Sequence, residues 1–206
     1  MQSGRSWLLP YGASIYHVRG RDGEGKMKSH TAAEDEGGTR RADGQRARKS
    51  DPLLEAVGTL DELSAQIGLC LTCAESTADE EVAAALCPVQ GELFAVGAAL
   101  SGAEGDPFSG GIQRLARLTD EAAAKLPPLG RFILPGGCEL SGRLHVARTV
   151  CRRAERRAVA AADAYASVPP DVVKYLNRLG ELLFVLARLA NRHAGVPETK
   201  WGSKNA

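Results

Sequence analysis

The amino-acid sequence predicts an all-α fold, a bundle of five helices. Apolar residues recur at steps of three and four in five segments joined by short connections, and no segment shows a convincing strand pattern. Only 5% of the residues are aromatic, whereas Ala and Leu are abundant in the second half, which favours helices packed through small side chains. The 206 residues suit one domain. We predict a leader over residues 1–48, the bundle over residues 49–196 and a tail over residues 197–206.

The composition argues against several classes of partner. Lys and Arg number 26 and Asp and Glu number 25, so no basic excess points to nucleic acid. No run of about 18 apolar residues occurs, and we therefore predict no membrane partner. The five cysteines lack the spacing of a disulfide framework, which is typical of a reducing compartment.

The leader combines two weak signals. Residues 1–21 contain arginines and serines but no acid, as in an organellar transit segment, and an ordinary disordered leader explains them equally well. Residues 20–51 have almost no large apolar side chains and are expected to be flexible on their own. Within them, GRDGEGKM from Gly20 fits the glycines and lysine of a phosphate loop, but Met27 replaces the Ser or Thr that ligates magnesium.

The first two helices are predicted from their caps. Asp51 followed by Pro52 indicates an N-cap with proline in the first turn, and apolar spacing carries this helix to about Glu75. Asp79 is expected to cap a second helix that runs to about Leu100, after which residues 101–111 have a loop composition.

The second half is predicted in the same way. A third helix over residues 112–126 ends at two prolines, and the apolar residues 132–134 precede a Pro-Gly-Gly turn. Ser141 is expected to cap the fourth helix. The fifth helix is predicted to begin at Pro169-Pro170 and to be stopped by Gly195 and Pro197.

The fourth helix, predicted over residues 140–165, is the most informative segment. Its apolar stripe contains Leu144, Ala147, Cys151, Ala154, Ala158, Ala161 and Tyr165. The rest of its surface carries one acid, Glu155, among the basic residues Arg148, Arg152, Arg153, Arg156 and Arg157. Like charges one turn apart repel by a few tenths of a kcal/mol, so the run suits a polyanion or acids from elsewhere in the assembly. A solvated basic face is the alternative.

The spacing of the other candidate residues does not require a catalytic or metal-binding role. Cys70 and Cys73 form a CxxC without a second pair, and two buried cysteines are the better interpretation. His145 has no HExxH partner, which indicates a packing role. Asn177 suits either a nucleotide contact or a contact between helices. The arginine run therefore indicates an anionic partner but no reaction.

Four motifs occur in order along the chain. They are KSDPLLEAVGTLDELSAQIG from Lys49, FILPGG from Phe132, HVARTVCRRAERR from His145 and YLNRLGELLFVLARLAN from Tyr175. Over about residues 44–194 the chain resembles the PduO-type cobalamin adenosyltransferases. The resemblance implies a five-helix bundle assembled as a homotrimer with active sites between subunits. It also implies transfer of the 5′-deoxyadenosyl group of ATP to cob(I)alamin, giving adenosylcobalamin and triphosphate.

The resemblance also assigns residues to roles. Arg152 and Phe132 match the expected catalytic positions, and Phe132 matches the aromatic residue below the corrin, its cobalamin contact. Asp61 and Arg148 match a pair that bridges subunits. The positions matching ATP contacts are Thr31, Thr39, Lys49, Arg152, Arg153, Glu155, Arg156 and Asn177. No protein metal ligand is expected.

Physical chemistry agrees with these roles. Triphosphate carries about four negative charges, arginine forks bind phosphate oxygens bidentately, and Mg²⁺ would share the load. Cobalt in its +1 state is the nucleophile, so no side-chain nucleophile is needed. An apolar aromatic under the corrin would exclude water and a lower axial ligand; by hypothesis this makes the cobalt easier to reduce.

The nucleotide loop departs from the family pattern T-R-T-G-D-x-G-x-T. Aligned without gaps it falls on residues 31–39, where Thr31 and Thr39 fit. Ala32 and Glu34, however, replace a basic residue and a glycine, and Glu34 brings a carboxylate to a place where bare backbone approaches phosphate. An alternative alignment on IYHVRGRDGEG from Ile15 needs a large insertion.

Two rival functions follow from these departures. The first is a non-catalytic corrinoid-binding carrier that has lost ATP turnover, and the second is a phosphate-loop kinase using GRDGEGK. The adenosyltransferase interpretation implies a reductase and an adenosylcobalamin-dependent mutase as further partners. The acid-poor leader favours the mitochondrial matrix, with the cytoplasm as the alternative.

Overall fold

The structure, a computed structural model, describes residues 36–41, 44–101, 108 and 110–202. In this part the chain is helical apart from one short hairpin, so the predicted all-α bundle is confirmed. The elements are β1 Gly38–Arg40, β2 Arg46–Arg48, α1 Pro52–Ser76, α2 Glu80–Leu86, α3 Val89–Leu100, α4 Gly111–Ala123, α5 Glu139–Ala164 and α6 Pro170–His193.

Helix α5 lies at the centre and packs along both α1 and α6, while α4 packs on α6 and α3 on α1. The side of α5 that faces the core is made of small residues, which let the neighbouring helices approach closely. Six of the seven residues of its predicted stripe are buried, namely Leu144, Ala147, Cys151, Ala154, Ala158 and Ala161. The seventh, Tyr165, lies partly exposed just beyond the helix.

The second predicted helix is two helices, which corrects the expectation of one helix from Asp79 to Leu100. Pro88 separates α2 from α3, because proline has no N–H to donate and its ring clashes with the preceding turn. The range Glu80–Leu100 is long and apolar enough, by composition alone, to cross a membrane. Its apolar stripe is nevertheless packed into the core through Val82, Leu86, Val89, Leu93 and Val96.

Two of the predicted N-caps are confirmed and one is wrong. The side chain of Asp51 accepts a hydrogen bond from the backbone N–H of Leu53, and Asp79 accepts one from Val82. Ser141, in contrast, lies inside α5, and its hydroxyl donates to the carbonyl of Gly136 at 3.0 Å.

The N-terminus of α5 is instead bound from α6. Cys138 is the N-cap residue, and its backbone N–H donates to Oδ1 of Asn191 at 2.9 Å. Nδ2 of the same side chain donates to the carbonyl of Gly136 at 3.0 Å. A side chain more than fifty residues away therefore fixes the backbone at the start of α5. Gly137, at φ +112°, leaves no room for a Cβ beside Asn191.

The hairpin lies where the sequence predicts only flexible chain. β1 and β2 pair antiparallel with Thr39 opposite Ala47. The guanidinium of Arg41 lies 4.7 Å from the ring centroid of Tyr165, and the Tyr165 hydroxyl donates to Asp51 at 2.6 Å. These contacts bind the hairpin to the end of the bundle where α1 begins and α5 ends, and they are not visible in a local composition.

Candidate functional site

The arginines of α5 are divided between two sides of the helix. On the side facing α1, Arg153 forms an ion pair with Glu62, and Arg157 lies 3.5 Å from Glu55. The acids of α1 thus relieve part of the repulsion expected within the run. Arg153, matched by sequence to an ATP contact, is therefore already paired within the chain.

On the side facing α6, three of the predicted ATP residues come together. Nη1 of Arg152 lies 3.0 Å from Oε2 of Glu155, and Nδ2 of Asn177 donates to Oε1 of Glu155 at 3.2 Å. Gly180 keeps α6 close here, since a Cβ on it would lie 3.4 Å from Cδ of Arg152. We call Arg152, Glu155 and Asn177 the α5–α6 cluster.

The α5–α6 cluster is open to a ligand. The side chain of Arg152 is 50% exposed, whereas that of Glu155 is 16% exposed. Ion pairs of such exposure contribute about 0–1 kcal/mol, so a phosphate can replace Glu155 as the partner of Arg152 at little cost. Arg156 also lies at this surface, with Nη1 donating to the carbonyl of Arg152 at 3.0 Å.

One and two turns nearer to the start of α5, Arg148 and His145 face Phe184 of α6. The guanidinium of Arg148 lies 5.9 Å from the Phe184 ring centroid, and the two rings of His145 and Phe184 are 6.1 Å apart. Phe184 lies two turns after Asn177, so that spacing was the available signal for this residue, which the sequence reasoning missed.

His145 and Arg148 both keep buried nitrogen atoms without a hydrogen-bond partner in the described part of the chain. Burial lowers the pKa of His145, and the nearby Arg148 lowers it further, while Glu198 acts in the opposite direction. Asp61 is half-buried on α1, and the described residues show no ion pair between it and Arg148. The predicted pairing is thus not made within one chain.

Phe132 lies in the loop before α5 and is 83% exposed. Its backbone is nevertheless fixed, because the Phe132 carbonyl accepts a hydrogen bond from the N–H of Trp201 at 2.9 Å. Leu129, Leu134 and Trp201 are further exposed apolar residues of this region. Large apolar side chains left open in this way indicate a binding surface.

The hairpin brings two further candidates to one end of the bundle. Thr39 lies in β1, and Lys49 follows β2 with its backbone N–H donating to the carbonyl of Gly37 at 3.0 Å. Lys49 is exposed. Thr31 and Glu34 lie outside the described residues, as does the GRDGEGKM segment.

The CxxC is confirmed as a pair of buried cysteines. Burial raises the pKa of the Cys70 thiol to about 12, and it also raises the pKa of Cys73, so neither is a thiolate at neutral pH. Across residues 36–41, 44–101, 108 and 110–202, no group of three His, Cys, Asp or Glu side chains is placed to hold a metal ion.

Known proteins are similar in sequence to this chain over most of its length. The family profile described as cobalamin adenosyltransferase matches residues 29–190, a range that includes residues 31–39 but not GRDGEGKM. A cobalamin adenosyltransferase of Cupriavidus metallidurans is 44% identical over 179 residues, 84% of this chain and 94% of that protein. The corrinoid adenosyltransferase MMAB of Homo sapiens is 38% identical over 180 residues, 83% of this chain and 72% of that protein.

Solved structures agree with the sequence comparison. A phenylalanine-to-alanine variant of the PduO-type ATP:corrinoid adenosyltransferase from Lactobacillus reuteri, complexed with cobalamin and ATP, has a TM-score of 0.77 at 30% identity. The similarity covers 85% of this chain and 100% of that one. With the motifs, the bundle and these relatives in agreement, the chain belongs to the cobalamin adenosyltransferase family and is of the PduO type.

Proposed function

We propose that this protein transfers the 5′-deoxyadenosyl group from ATP to cob(I)alamin, giving adenosylcobalamin and triphosphate. The observation that carries the proposal is the α5–α6 cluster, where Arg152, Glu155 and Asn177 meet on a half-open surface. The relatives supply the substrates, since the Lactobacillus reuteri structure is described as complexed with cobalamin and ATP.

In this proposal Arg152 binds the triphosphate and Asn177 with Glu155 binds the nucleoside. The guanidinium of Arg152 gives bidentate hydrogen bonds to phosphate oxygens, and Arg156 adds a second positive charge. Glu155, released from Arg152, keeps its hydrogen bond from Asn177 and accepts from a ribose hydroxyl. Arg152 thereby fixes the triphosphate of ATP, and Glu155 with Asn177 fixes the ribose that carries C5′.

The chemical step is a displacement at C5′. The electron pair of cobalt(I) forms the cobalt–carbon bond, and triphosphate leaves with the electron pair of the C5′–O bond that breaks. Arg152 contributes by holding C5′ in line with cobalt and by stabilising the charge that develops on the leaving oxygen. No side chain has to act as nucleophile or general base in this step.

We propose that Mg²⁺ enters with ATP. The described residues offer no three-ligand group, and Glu155 is already engaged by Arg152 and Asn177. Magnesium commonly binds through substrate phosphates and water with few protein ligands. The roles given above to Arg152, Glu155 and Asn177 do not depend on a protein ligand to the metal.

Phe132 is proposed to lie against the lower face of the corrin. Its exposed ring on a fixed backbone suits a flat apolar ligand. A ring in this position excludes water and a lower axial ligand from the cobalt.

We infer that the active assembly is a homotrimer in which Asp61 of one subunit pairs with Arg148 of the next. A buried donor without a partner costs about 1–3 kcal/mol, and Nε of Arg148 is such a donor among the described residues of the single chain. A carboxylate from a neighbouring subunit removes this cost. Assembly and the α5–α6 cluster are then linked, because Arg148 lies one turn from Arg152.

The direct test is to mix the protein with ATP, Mg²⁺ and chemically reduced cobalamin and to follow the absorbance change of adenosylcobalamin formation. Adenosylcobalamin with stoichiometric triphosphate supports the proposal, and a folded trimer that gives neither product refutes it. The carrier alternative rests on Glu34 at a glycine position. It predicts heat of cobalamin binding but none for ATP in separate titrations.

A reductase that supplies cob(I)alamin and a mutase that consumes adenosylcobalamin remain proposed partners. For the compartment, the acid-poor residues 1–21 support the mitochondrial matrix, and the cytoplasm is the alternative. Residues 1–48 can be fused to a fluorescent protein, and the location of the fusion protein in the cell distinguishes the matrix from the cytoplasm.

A further inference from the structure

The chain after α6 returns to the loop that contains Phe132. The N–H of Leu134 donates to the carbonyl of Thr199 at 2.8 Å, and the N–H of Trp201 donates to the carbonyl of Phe132 at 2.9 Å. Ile133 and Lys200 form an antiparallel bridge between these two bonds. Residues 199–201, predicted to belong to a tail, thus lie in backbone contact with the proposed corrin-facing loop.

The register of the bridge places two aromatic side chains together. Because Ile133 is opposite Lys200 and the two segments are antiparallel, Phe132, the residue before Ile133, is opposite Trp201, the residue after Lys200. Opposite residues of an antiparallel pair project from the same face, with Cβ atoms about 4.5–5.5 Å apart. Both are largely exposed, at 83% for Phe132 and 66% for Trp201. The two exposed side chains therefore project from the same face of the bridge.

An ion pair anchors this returning segment to α6. Nε of Arg188 donates to Oε1 of Glu198 at 2.6 Å, and the side chains are only 7% and 20% exposed. Nη2 of Arg188 also donates to the carbonyl of Pro127 at 2.8 Å. One guanidinium thus ties the returning segment to α6 and to the chain that leads to Phe132. Charge-assisted bonds with little solvent access are the stronger class.

The other end of the loop is fixed separately. Asn191, one turn beyond Arg188, binds Gly136 and Cys138 as described above. The loop is therefore held at its C-terminal end by Asn191 of α6 and around Phe132 by the returning segment. Only the returning segment bonds directly to the backbone of Phe132.

We propose that Glu198 and Trp201 are part of the corrin site: Glu198 positions Phe132 through the returning segment, and the indole of Trp201 contacts the corrin beside Phe132. This inference rests on the proposed function of Phe132. The ligand class is a flat, largely apolar macrocycle, since two adjacent exposed rings on fixed backbone match an extended planar face.

Three variants separate the parts of this proposal. Trp201→Ala keeps the backbone N–H and removes the indole. Trp201→Pro removes both, because proline has no N–H to donate to Phe132. Glu198→Gln keeps the shape of the side chain and removes its charge. The matched control is Glu121→Gln, which removes the charge from an exposed ion pair with Arg117 on α4.

The measurements are the Kd for ATP, the Kd for cobalamin, the two KM values with kcat, and thermal unfolding. Trp201→Ala and Glu198→Gln are expected to weaken cobalamin binding about tenfold and to lower kcat, and Trp201→Pro is expected to do so further. The Kd for ATP should stay within about twofold in all three, and Glu121→Gln should match the wild type. A purely structural effect would instead change both substrates and the unfolding temperature together.

A further readout is the absorbance of bound cob(II)alamin, in which loss of the lower ligand changes the spectrum. The three variants should retain more of the ligated form than the wild type does. Should Trp201→Pro fail to fold, Trp201→Ala and Glu198→Gln still test the proposal, since each compares the change in the Kd for cobalamin with the change in the Kd for ATP.

The outcomes keep the two proposals apart. A wild-type protein that turns over cobalamin, together with variants whose cobalamin constants equal those of the control, overturns this inference alone. A wild-type protein that binds cobalamin without turnover removes the adenosyltransferase proposal but leaves this one to be judged by the cobalamin Kd. Absence of both binding and turnover in the wild type overturns both.

Discussion

Asn177 of α6 donates a hydrogen bond to Glu155 of α5 at 3.2 Å, across the interface of the two most extensively packed helices. The same carboxylate lies 3.0 Å from Arg152. Glu155, the only acid in the arginine run, is thus held from two sides, and its carboxylate holds Arg152 beside α6. This arrangement leads to separate predictions for the two substrates.

Arg152→Ala should weaken ATP binding by about ten- to a hundredfold, because hydrogen bonds to charged groups are worth about 1.5–3 kcal/mol each. Isothermal titration with ATP and Mg²⁺ measures the change. Arg117→Ala, an exposed arginine on α4, is the control and should leave the Kd as in the wild type. Equal losses in both variants would contradict the assigned role.

Phe132→Ala should slow adenosyl transfer while leaving the Kd for ATP within about twofold of the wild type. The ring is exposed, so its removal leaves no cavity in the core and the unfolding temperature should not change. The measurement compares kcat with cobalamin against ATP titration in the same variant. If ATP affinity falls as far as it does in Arg152→Ala, the division between the two sites is wrong.

Asp61→Arg should reduce the proposed trimer to smaller species, because it places two positive charges together at the proposed contact between subunits. A like-charge contact in an interface costs several kcal/mol. Combining Asp61→Arg with Arg148→Asp restores the opposite charges and should restore assembly, as measured by light scattering after size exclusion. Glu62→Arg is the neighbouring control, since Glu62 pairs with Arg153 of its own chain. Equal dissociation in that control would argue against the pairing.

His145 should make the protein less stable as the pH falls. Burial lowers its pKa in the folded state below the ordinary value of 6.5, so below about pH 6.5 the unfolded state binds a proton more readily than the folded state. The free energy of unfolding therefore decreases from pH 6.5 down towards the folded-state pKa. Urea unfolding at several pH values measures this slope.

His145→Phe serves as the comparison for that slope. It removes the titrating group while keeping a ring beside Phe184, and its unfolding free energy should depend less on pH over the same window. A variant with the same slope as the wild type would assign the pH dependence to other groups.

Local periodicity was sufficient to predict the long helices and the buried side of α5. The stripe from Leu144 to Ala161 follows from residues three and four apart, which is information within a few turns. The break at Pro88 was missed, although proline interrupts a helix wherever it stands beyond the first turn.

What the sequence could not supply were contacts between distant residues. Ser141 was a reasonable cap by type, but the side chain that binds the start of α5 is Asn191. Likewise Arg152 and Arg153 are adjacent and chemically identical, and only the positions of α1 and α6 decide that Arg153 meets Glu62 while Arg152 meets Glu155. The hairpin is ordered by Tyr165, more than a hundred residues further on.

Helix α6 fixes the distance between the two proposed substrate sites. It carries Asn177 at the α5–α6 cluster and, eleven residues later, Arg188 at the segment that pairs with the Phe132 loop. At about 1.5 Å per residue the two are about 16 Å apart along one rigid rod. Inserting a single residue between them would turn one relative to the other by about 100°. The length of α6, rather than either binding surface, thus sets the spacing and the relative orientation of the proposed nucleotide and corrin sites.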